Sequence, residues 1–257
     1  LTDFLKSRYR VVGSDRPGAD CDLEMDISSK SGVETALEQF RARYGQDIAA
    51  VIHLAAYFDF TGEDSPLYEK VNEQGTLNLI TGLQSLRVER FIYSSTMLVH
   101  RPCQPGQTID ESTPLDPQWA YPKSKAKTEE IIRQSHGDIP FAILRLAGLY
   151  DEKTAVPTLA QQMARIYERS FKSAVYAGDT DAGQAMLHQS DMLDLFARVI
   201  EKRHSLPEQF YVLAGEPDVL SYQQLQDRIG KCMHGEEHWR TLNLPKPIAK
   251  SGAWLEE

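Results

Sequence analysis

What the 257 residues lack narrows the field before any motif is weighed. No apolar run is long enough to cross a bilayer. The longest, near residues 48–56 and 139–149, are broken by His53 and Arg145, so no membrane partner is expected. Positive charge is in short supply: 28 Lys+Arg stand against 37 Asp+Glu, a formal net charge of −9. That balance argues against nucleic acid as a partner, because a phosphate backbone is held by concentrated cationic surface. Cysteine is scarce too. Cys21, Cys103 and Cys232 are odd in number and widely spaced, which fits reduced thiols and a cytoplasmic setting. The first residues show no basic-then-apolar leader, and no internal repeat or low-complexity tract interrupts the chain. With 41% hydrophobic and 25% charged residues, the chain has the composition of an ordinary folded protein, one large α/β domain or a domain with a smaller lobe.

Short apolar runs at residues 9–13, 50–54, 90–94 and 141–146 read as buried parallel strands, with helical spacing between them. Leu67, Val71, Leu79 and Leu83 share a helical face, with Gly75 in the same row, where a small residue permits close packing. A helix over residues 29–44 has Ser29 or Ser31 as its cap, and another covers 120–135. This alternation predicts an α/β fold built on a doubly wound parallel sheet, since right-handed crossovers put helices on both faces. Beyond Tyr150 the pattern loosens into a helix at 158–169, a short strand at 174–176, a polar loop at 178–184, a helix at 191–202 and a strand at 209–213. Pro245 and Pro247 open a last helix. The expected organisation is a first domain over residues 1–150 and a smaller C-terminal substrate lobe over 151–257, with 187–214 returning to the main sheet.

Asp15 stands just past the run at 9–13. In a dinucleotide-binding unit an acid there accepts hydrogen bonds from the adenosine ribose, about 20 residues after a glycine-rich phosphate loop. Counting back that far passes Leu1, and residues 1–6 have the apolar spacing of a helix tail. The expectation is a Rossmann-like sheet whose first strand and phosphate loop precede this chain, in a functional protein longer than it. A solvated turn in Ser14-Asp15-Arg16-Pro17-Gly18 is the plainer account of the same acid.

Tyr121 and Lys125 lie four residues apart at a helix start, hence on one face. A tyrosine titrates near pH 10 and is a poor base near neutrality unless a cation favours its phenolate, which Lys125 can do. The pair alone is also what a surface helix shows by chance. Its context is stronger: the run at 90–94 leads into Ser94-Ser95-Thr96, and ligands of open α/β sheets sit at the carboxyl ends of strands. His53, His100 and His188 have no carboxylate or cysteine partner at ligand spacing, so no metal is expected. Asp110, Glu111 and Asp116 fall in a Pro-rich loop and read as solvated acids.

With these pieces in order, the sequence resembles the extended short-chain dehydrogenase/reductase superfamily, and within it the NAD-dependent epimerases and dehydratases. The resemblance runs through Asp15, Asp26-Ile27, His53-Leu54-Ala55-Ala56, residues 71–79, Phe91 to Thr96, Tyr121 to Lys125, Arg145 to Tyr150 and His188 to Asp191. It implies that Tyr121 is the general acid/base and that Lys125 lowers its pKa and binds the nicotinamide ribose. It also implies that Thr96 orients the substrate and that Asn72 faces the site. Asp15 would hold the adenine ribose, Asp26 and Ile27 would line the adenine pocket, and Leu54, Ala55 and Ala56 would pass along the cofactor. Arg16 either stacks on adenine or meets a 2′-phosphate. Because Asp15 would repel that phosphate, NAD is expected ahead of NADP. The implied substrate is a small molecule with a secondary alcohol or carbonyl, a nucleotide sugar among the choices. The aromatic stretch Tyr57-Phe58-Asp59-Phe60-Thr61-Gly62 departs from the nucleotide-sugar pattern. It resembles instead the branch acting on sterol- or flavonoid-like alcohols, although aromatic packing beside the cofactor accounts for it as well. A non-catalytic dinucleotide-binding protein is the further alternative. The family also implies a homodimer through helices that include the Tyr121 helix.

Overall fold

Apolar runs become strands here only where a neighbour completes the ladder. In the computed structural model, which describes residues 1–59, 62–104 and 106–244, the chain begins with α1 (Thr2–Lys6), β1 (Ser14–Asp15), β2 (Leu23–Glu24) and α2 (Lys30–Tyr44). Then follow β3 (Asp47–Ile48), β4 (Val51–His53), α3 (Gly75–Leu83), β5 (Arg87–Val88), β6 (Phe91–Thr96), α4 (Ala120–Ser135) and β7 (Phe141–Leu146). The later elements are β8 (Gly148–Tyr150), α5 (Pro157–Tyr167), β9 (Val175–Ala177), β10 (Met186–His188), α6 (Gln189–Glu201), β11 (Gln209–Ala214), α7 (Tyr222–His234) and β12 (Leu242–Leu244). They divide into two units, one of residues 1–102, 109–146 and 190–214, the other of 103–108, 147–189 and the residues from 215 onward.

The first unit is built on a four-stranded parallel sheet in the order β11–β7–β6–β4. Every residue of β7 is buried, and β6 is nearly so. Burial on both pleats means both faces are covered, as a parallel sheet requires. On one face Phe91, Tyr93, Phe141 and Ile143 pack with Val33 and Leu37 of α2, Ile80 and Leu83 of α3, and Ile132 of α4. Each such side chain stabilises the fold by about 1.5–3 kcal/mol, so this layer holds α4 firmly over β6 and β7. At the sheet's opposite, amino end, the buried Arg90 donates to the carbonyl oxygens of Phe141, Arg203, Leu206 and Pro207, tying down the connection from α6 to β11. The doubly wound α/β class is thus realised.

Two local expectations are corrected. The run at residues 9–13 forms no strand: Gly13 O accepts from Asp22 N and Leu23 N, and only Ser14 and Asp15 pair, with Leu23 and Glu24. A run with no ladder beside it stays irregular. The Leu67 face holds only in its second half, where Gly75, Leu79 and Leu83 are buried, because Tyr68–Gln74 is a π-helical stretch leading into α3. Its wider turn shifts the buried row to Tyr68, Asn72, Thr76 and Leu79, leaving Leu67 at 40% exposure. Gly75 does mark a close approach: a Cβ there would lie 2.9 Å from Ile27 Cγ1. We expect Gly75→Val to destabilise by about 1–3 kcal/mol through overpacking, read by urea denaturation; unchanged stability would show that Ile27 simply moves aside.

Ser29 is the cap of α2, its hydroxyl accepting from Gly32 N at 3.1 Å. In the second unit β8 pairs with β10 and β9 with β12, both parallel. Leu159 and Ile166 of α5 form its core with Ile229 of α7 and Trp239. A capping box at Ser221 starts α7, and Gly235 ends it in the left-handed region at φ 72°. The expected helix at Pro245 and Pro247 lies outside the described residues.

Candidate active site

Three elements converge at the carboxyl end of the sheet. Strand β6 ends in Ser94, Ser95 and Thr96, helix α4 begins one residue before Tyr121, and the π-helical stretch before α3 carries Asn72. Thr96 closes its strand as an N-cap: its hydroxyl accepts from Leu98 N at 3.3 Å and starts a short 3-10 turn. Helix α4 packs on both β6 and that turn.

Lys125 is 3% exposed, and its ammonium donates to Ser94 O at 2.7 Å. It sits 4.4 Å from the Tyr93 ring centroid and 6.0 Å from that of Tyr121. Burial disfavours the charge and brings the Lys125 pKa down to about 7, while the Glu129 carboxylate pulls the other way. Tyr121 is pushed up to about 12, chiefly by burial and then by Tyr68. With burial and Tyr68 both raising its pKa, the Tyr121 phenol is protonated at neutral pH.

Asn72 is 1% exposed and fully used. Its Oδ1 accepts from Tyr57 N at 2.6 Å, and its Nδ2 donates to Tyr57 O at 3.1 Å and to Ser124 Oγ at 2.9 Å. Ser124 Oγ donates in turn to Tyr121 O at 2.8 Å. Asn72 therefore joins the loop after β4 to the first turn of α4, buttressing the helix turn that carries Tyr121. Behind it, Thr76 Oγ1 donates to Asn72 O at 2.6 Å and so must accept from His53 Nε2 at 2.9 Å. Burial, then the charge of Lys125, lowers the His53 pKa to about 3, so the ring is neutral and acts as a fixed donor.

Leu54, Ala55 and Ala56 follow β4 and are exposed, as a surface that a flat ligand would cover must be. An aromatic collar lies beside them: the Phe58 ring centroid is 4.5 Å from that of Tyr121, and Trp119 is 5.6 Å from Tyr121. Leu54, Phe58 and Leu98 are exposed apolar side chains at the ends of β4 and β6. The remaining expected residues stand apart from this cluster. Asp15 and Arg16 are exposed at β1, where the Asp15 carboxylate accepts from Arg16 N at 2.7 Å. Asp26 accepts from Ser28 N and Oγ, and Ile27 packs on Gly75 while its carbonyl accepts from Asn78.

The site also holds residues that sequence reading passed over. The Glu129 carboxylate, buried on α4, accepts from Ser95 Oγ at 2.5 Å and from Arg145 at 2.7 and 3.2 Å. A signal was present: Arg145 interrupts a strand that is otherwise apolar, and a guanidinium in such a place needs a partner.

Whether a dinucleotide suits this site is answered by Lys125. Its ammonium has three donors, and among the described residues one of them is engaged, at Ser94 O. A buried cation with donors to spare beside the Tyr121 ring fits a ribose hydroxyl.

A family model for NAD-dependent epimerases and dehydratases matches residues 1–214. Over 248 residues the chain is 27% identical to the decarboxylating sterol-4-alpha-carboxylate 3-dehydrogenase of Saccharomyces cerevisiae, covering 90% of this chain and 66% of that protein. It is 25% identical over 213 residues to short-chain dehydrogenase/reductase family 42E member 1 of Bos taurus, 76% of this chain and 51% of that one. The chain spans about half the length of several curated relatives that it matches. Among solved structures, the UDP-glucose 4-epimerase of Thermus thermophilus in complex with NAD shares the fold, with a TM-score of 0.63 and 21% identity over 90% of this chain and 78% of that one. The matched residues run from α1 to the end of β11 and include the whole Tyr121 cluster, and on that match the chain belongs to the NAD-dependent epimerase/dehydratase family, within the extended short-chain dehydrogenases/reductases.

Proposed function

We propose that the chain carries the reacting centre of an NAD-dependent oxidoreductase or epimerase acting at a secondary alcohol or carbonyl. The observation that carries this reading is the buried Lys125 ammonium one turn from the half-buried Tyr121 phenol, tied to the carboxyl end of β6 through Ser94. Tyr121 Oη moves the proton of the substrate hydroxyl. Lys125 holds the nicotinamide ribose and favours the phenolate when that proton is taken. Thr96 orients the substrate oxygen, and Asn72 fixes the helix turn that carries Tyr121. NAD, when bound, supplies the hydride acceptor or donor. Leu54, Ala55 and Ala56 lie along it, Asp15 meets the adenine ribose with Arg16 beside it, and Asp26 and Ile27 face the adenine. An exposed carboxylate at Asp15 favours NAD over NADP. The first unit carries the cofactor, and the second supplies most of the substrate lobe. Calorimetric titration with NAD and then NADP tests this reading: heat from NADP alone, or from neither, overturns the cofactor assignment.

The collar of Phe58 and Trp119 around Tyr121 favours an apolar alicyclic alcohol over a nucleotide sugar, since partly exposed aromatic rings are matched by apolar surface. The sterol-dehydrogenase relative supports the same choice. Trp119→Ala is expected to raise KM for such an alcohol roughly threefold to tenfold, the equivalent of ~0.5–1.5 kcal/mol of aromatic contact, with kcat preserved. Steady-state kinetics on an alicyclic alcohol and on UDP-glucose decide it: turnover of the sugar nucleotide alone removes this substrate class.

A further inference from the structure

Tyr121, Lys125 and Glu129 are spaced four apart and line one face of α4. The third member of this row makes contacts that bear on the other two. Glu129 Oε1 accepts from Ser95 Oγ at 2.5 Å and from Arg145 Nε at 3.2 Å, and Oε2 accepts from the Arg145 guanidinium at 2.7 Å. The same guanidinium meets His100 Nε2 at 3.1 Å, and His100 Nδ1 donates to Thr113 O at 2.8 Å. Arginine has no acceptor, so His100 is the neutral tautomer with its proton on Nδ1. Every polar group in the chain from Ser95 to Thr113 is thereby engaged, and the chain ends on backbone.

The sheet register explains why these groups meet. Strands β6 and β7 pair with Ser95 beside Arg145, and the Glu129 carboxylate of α4 reaches both. The residues flanking Ser95 are the ones the proposed chemistry uses. Ser94 offers the carbonyl that holds Lys125 Nζ at 2.7 Å, and Thr96 caps the turn that follows.

Resting on the functional reading above, we propose that Glu129 is a positioning residue of the active site. Anchored by Arg145, its carboxylate clamps Ser95 and so sets where Ser94 and Thr96 meet Lys125 and the substrate. It touches neither substrate nor cofactor. Its charge also bears on Lys125; the other ionisable groups around that ammonium are Tyr121 on α4, Tyr93 on β6 and His53 on β4. Of the groups that bear on the Lys125 charge, Glu129 favours it against burial.

The test uses the full chain labelled with ¹⁵N-lysine, whose Lys125 ammonium is followed by NMR, with Lys125→Met for assignment. Ser95→Ala removes one hydroxyl and leaves the ion pair in place; Glu129→Gln removes the charge. Glu129→Gln is expected to move the Lys125 titration down by about one pH unit, the size of effect that a neighbouring opposite charge produces. Ser95→Ala is expected to speed exchange of the Lys125 ammonium protons and to lower kcat up to roughly 10²-fold with the KM for NAD unchanged. If Glu129→Gln does not fold, Ser95→Ala carries the test alone. A folded Ser95→Ala protein with unchanged ammonium exchange overturns the proposal. The NMR readout needs no substrate, so it stands apart from the functional reading, which fails instead if the unmodified protein neither binds NAD nor turns over an alcohol.

Discussion

Tyr121→Phe is expected to lower kcat by roughly 10²–10⁴-fold, the range associated with loss of a positioned acid–base group, and to leave NAD affinity unchanged. The substitution deletes one oxygen and keeps the ring that packs 4.5 Å from Phe58 and 5.6 Å from Trp119, so the fold has no reason to respond. Stopped-flow kinetics with calorimetry on the same preparation separates the two quantities. Turnover that survives the substitution would remove Tyr121 from the chemistry. The protonation state adds a direction. Burial holds the phenol near 12, so in the resting protein it is a proton donor, which suits carbonyl reduction at neutral pH. Oxidation needs the phenolate, and its rate is expected to climb with rising pH.

Lys125 gives the opposite sign. Its pKa is about 7 in the unliganded protein, so the ammonium is present below that value and is lost as pH rises through it. NAD affinity, where it rests on this cation, is expected to weaken above pH 7. In Lys125→Met the affinity is expected to be weak and flat across the same range. A pH-independent affinity in the unmodified protein would show that the ammonium contributes nothing to binding.

Legibility in the sequence tracked how local each relation was. Tyr121 and Lys125 are four apart on one helix, so their common face could be read before any fold was known. Ser94, Ser95 and Thr96 could be placed because a strand that runs into hydroxyl residues puts them at its carboxyl end. The limits of β7 and α4 agreed for the same reason, an apolar run or helical spacing with clear ends. Non-local relations were hidden. Glu129 meets Ser95 and Arg145 only after β6 and β7 adopt their register, and no spacing along the chain encodes that pairing. Trp119 joins Phe58 across some sixty residues for similar reasons. The first part of the Leu67 row failed on a different ground: helical spacing assumes one turn width, and the π-helical stretch at Tyr68–Gln74 changes it. Asn72 gains from that change, since the wider turn buries it among Tyr57 and Ser124.

The same buried pair carries the largest expected effect on stability. The side chains of Arg145 and Glu129 are 7% and 4% exposed, and the guanidinium reaches both carboxylate oxygens. Arg145→Ala leaves the carboxylate in a low-dielectric site with the Ser95 hydroxyl as its remaining partner, and it strips His100 Nε2 of its donor. Removing one member of a buried pair costs about 3–5 kcal/mol, which for a chain of this size lowers Tm by on the order of 10 °C. Removing both is a different case. Glu129→Met with Arg145→Met exchanges two desolvated charges for apolar volume and is expected to approach the stability of the parent, because the attraction within such a pair is largely offset by its desolvation. A double-mutant cycle followed by thermal denaturation measures the coupling directly. Loss of less than about 0.5 kcal/mol in Arg145→Ala, the scale of an ordinary surface substitution, would mean that the pair is hydrated in solution. The doubly apolar protein then separates two roles that the single variants confound: it is expected to fold and yet to lose rate, because Ser95 has lost its clamp while the sheet beneath it has not moved.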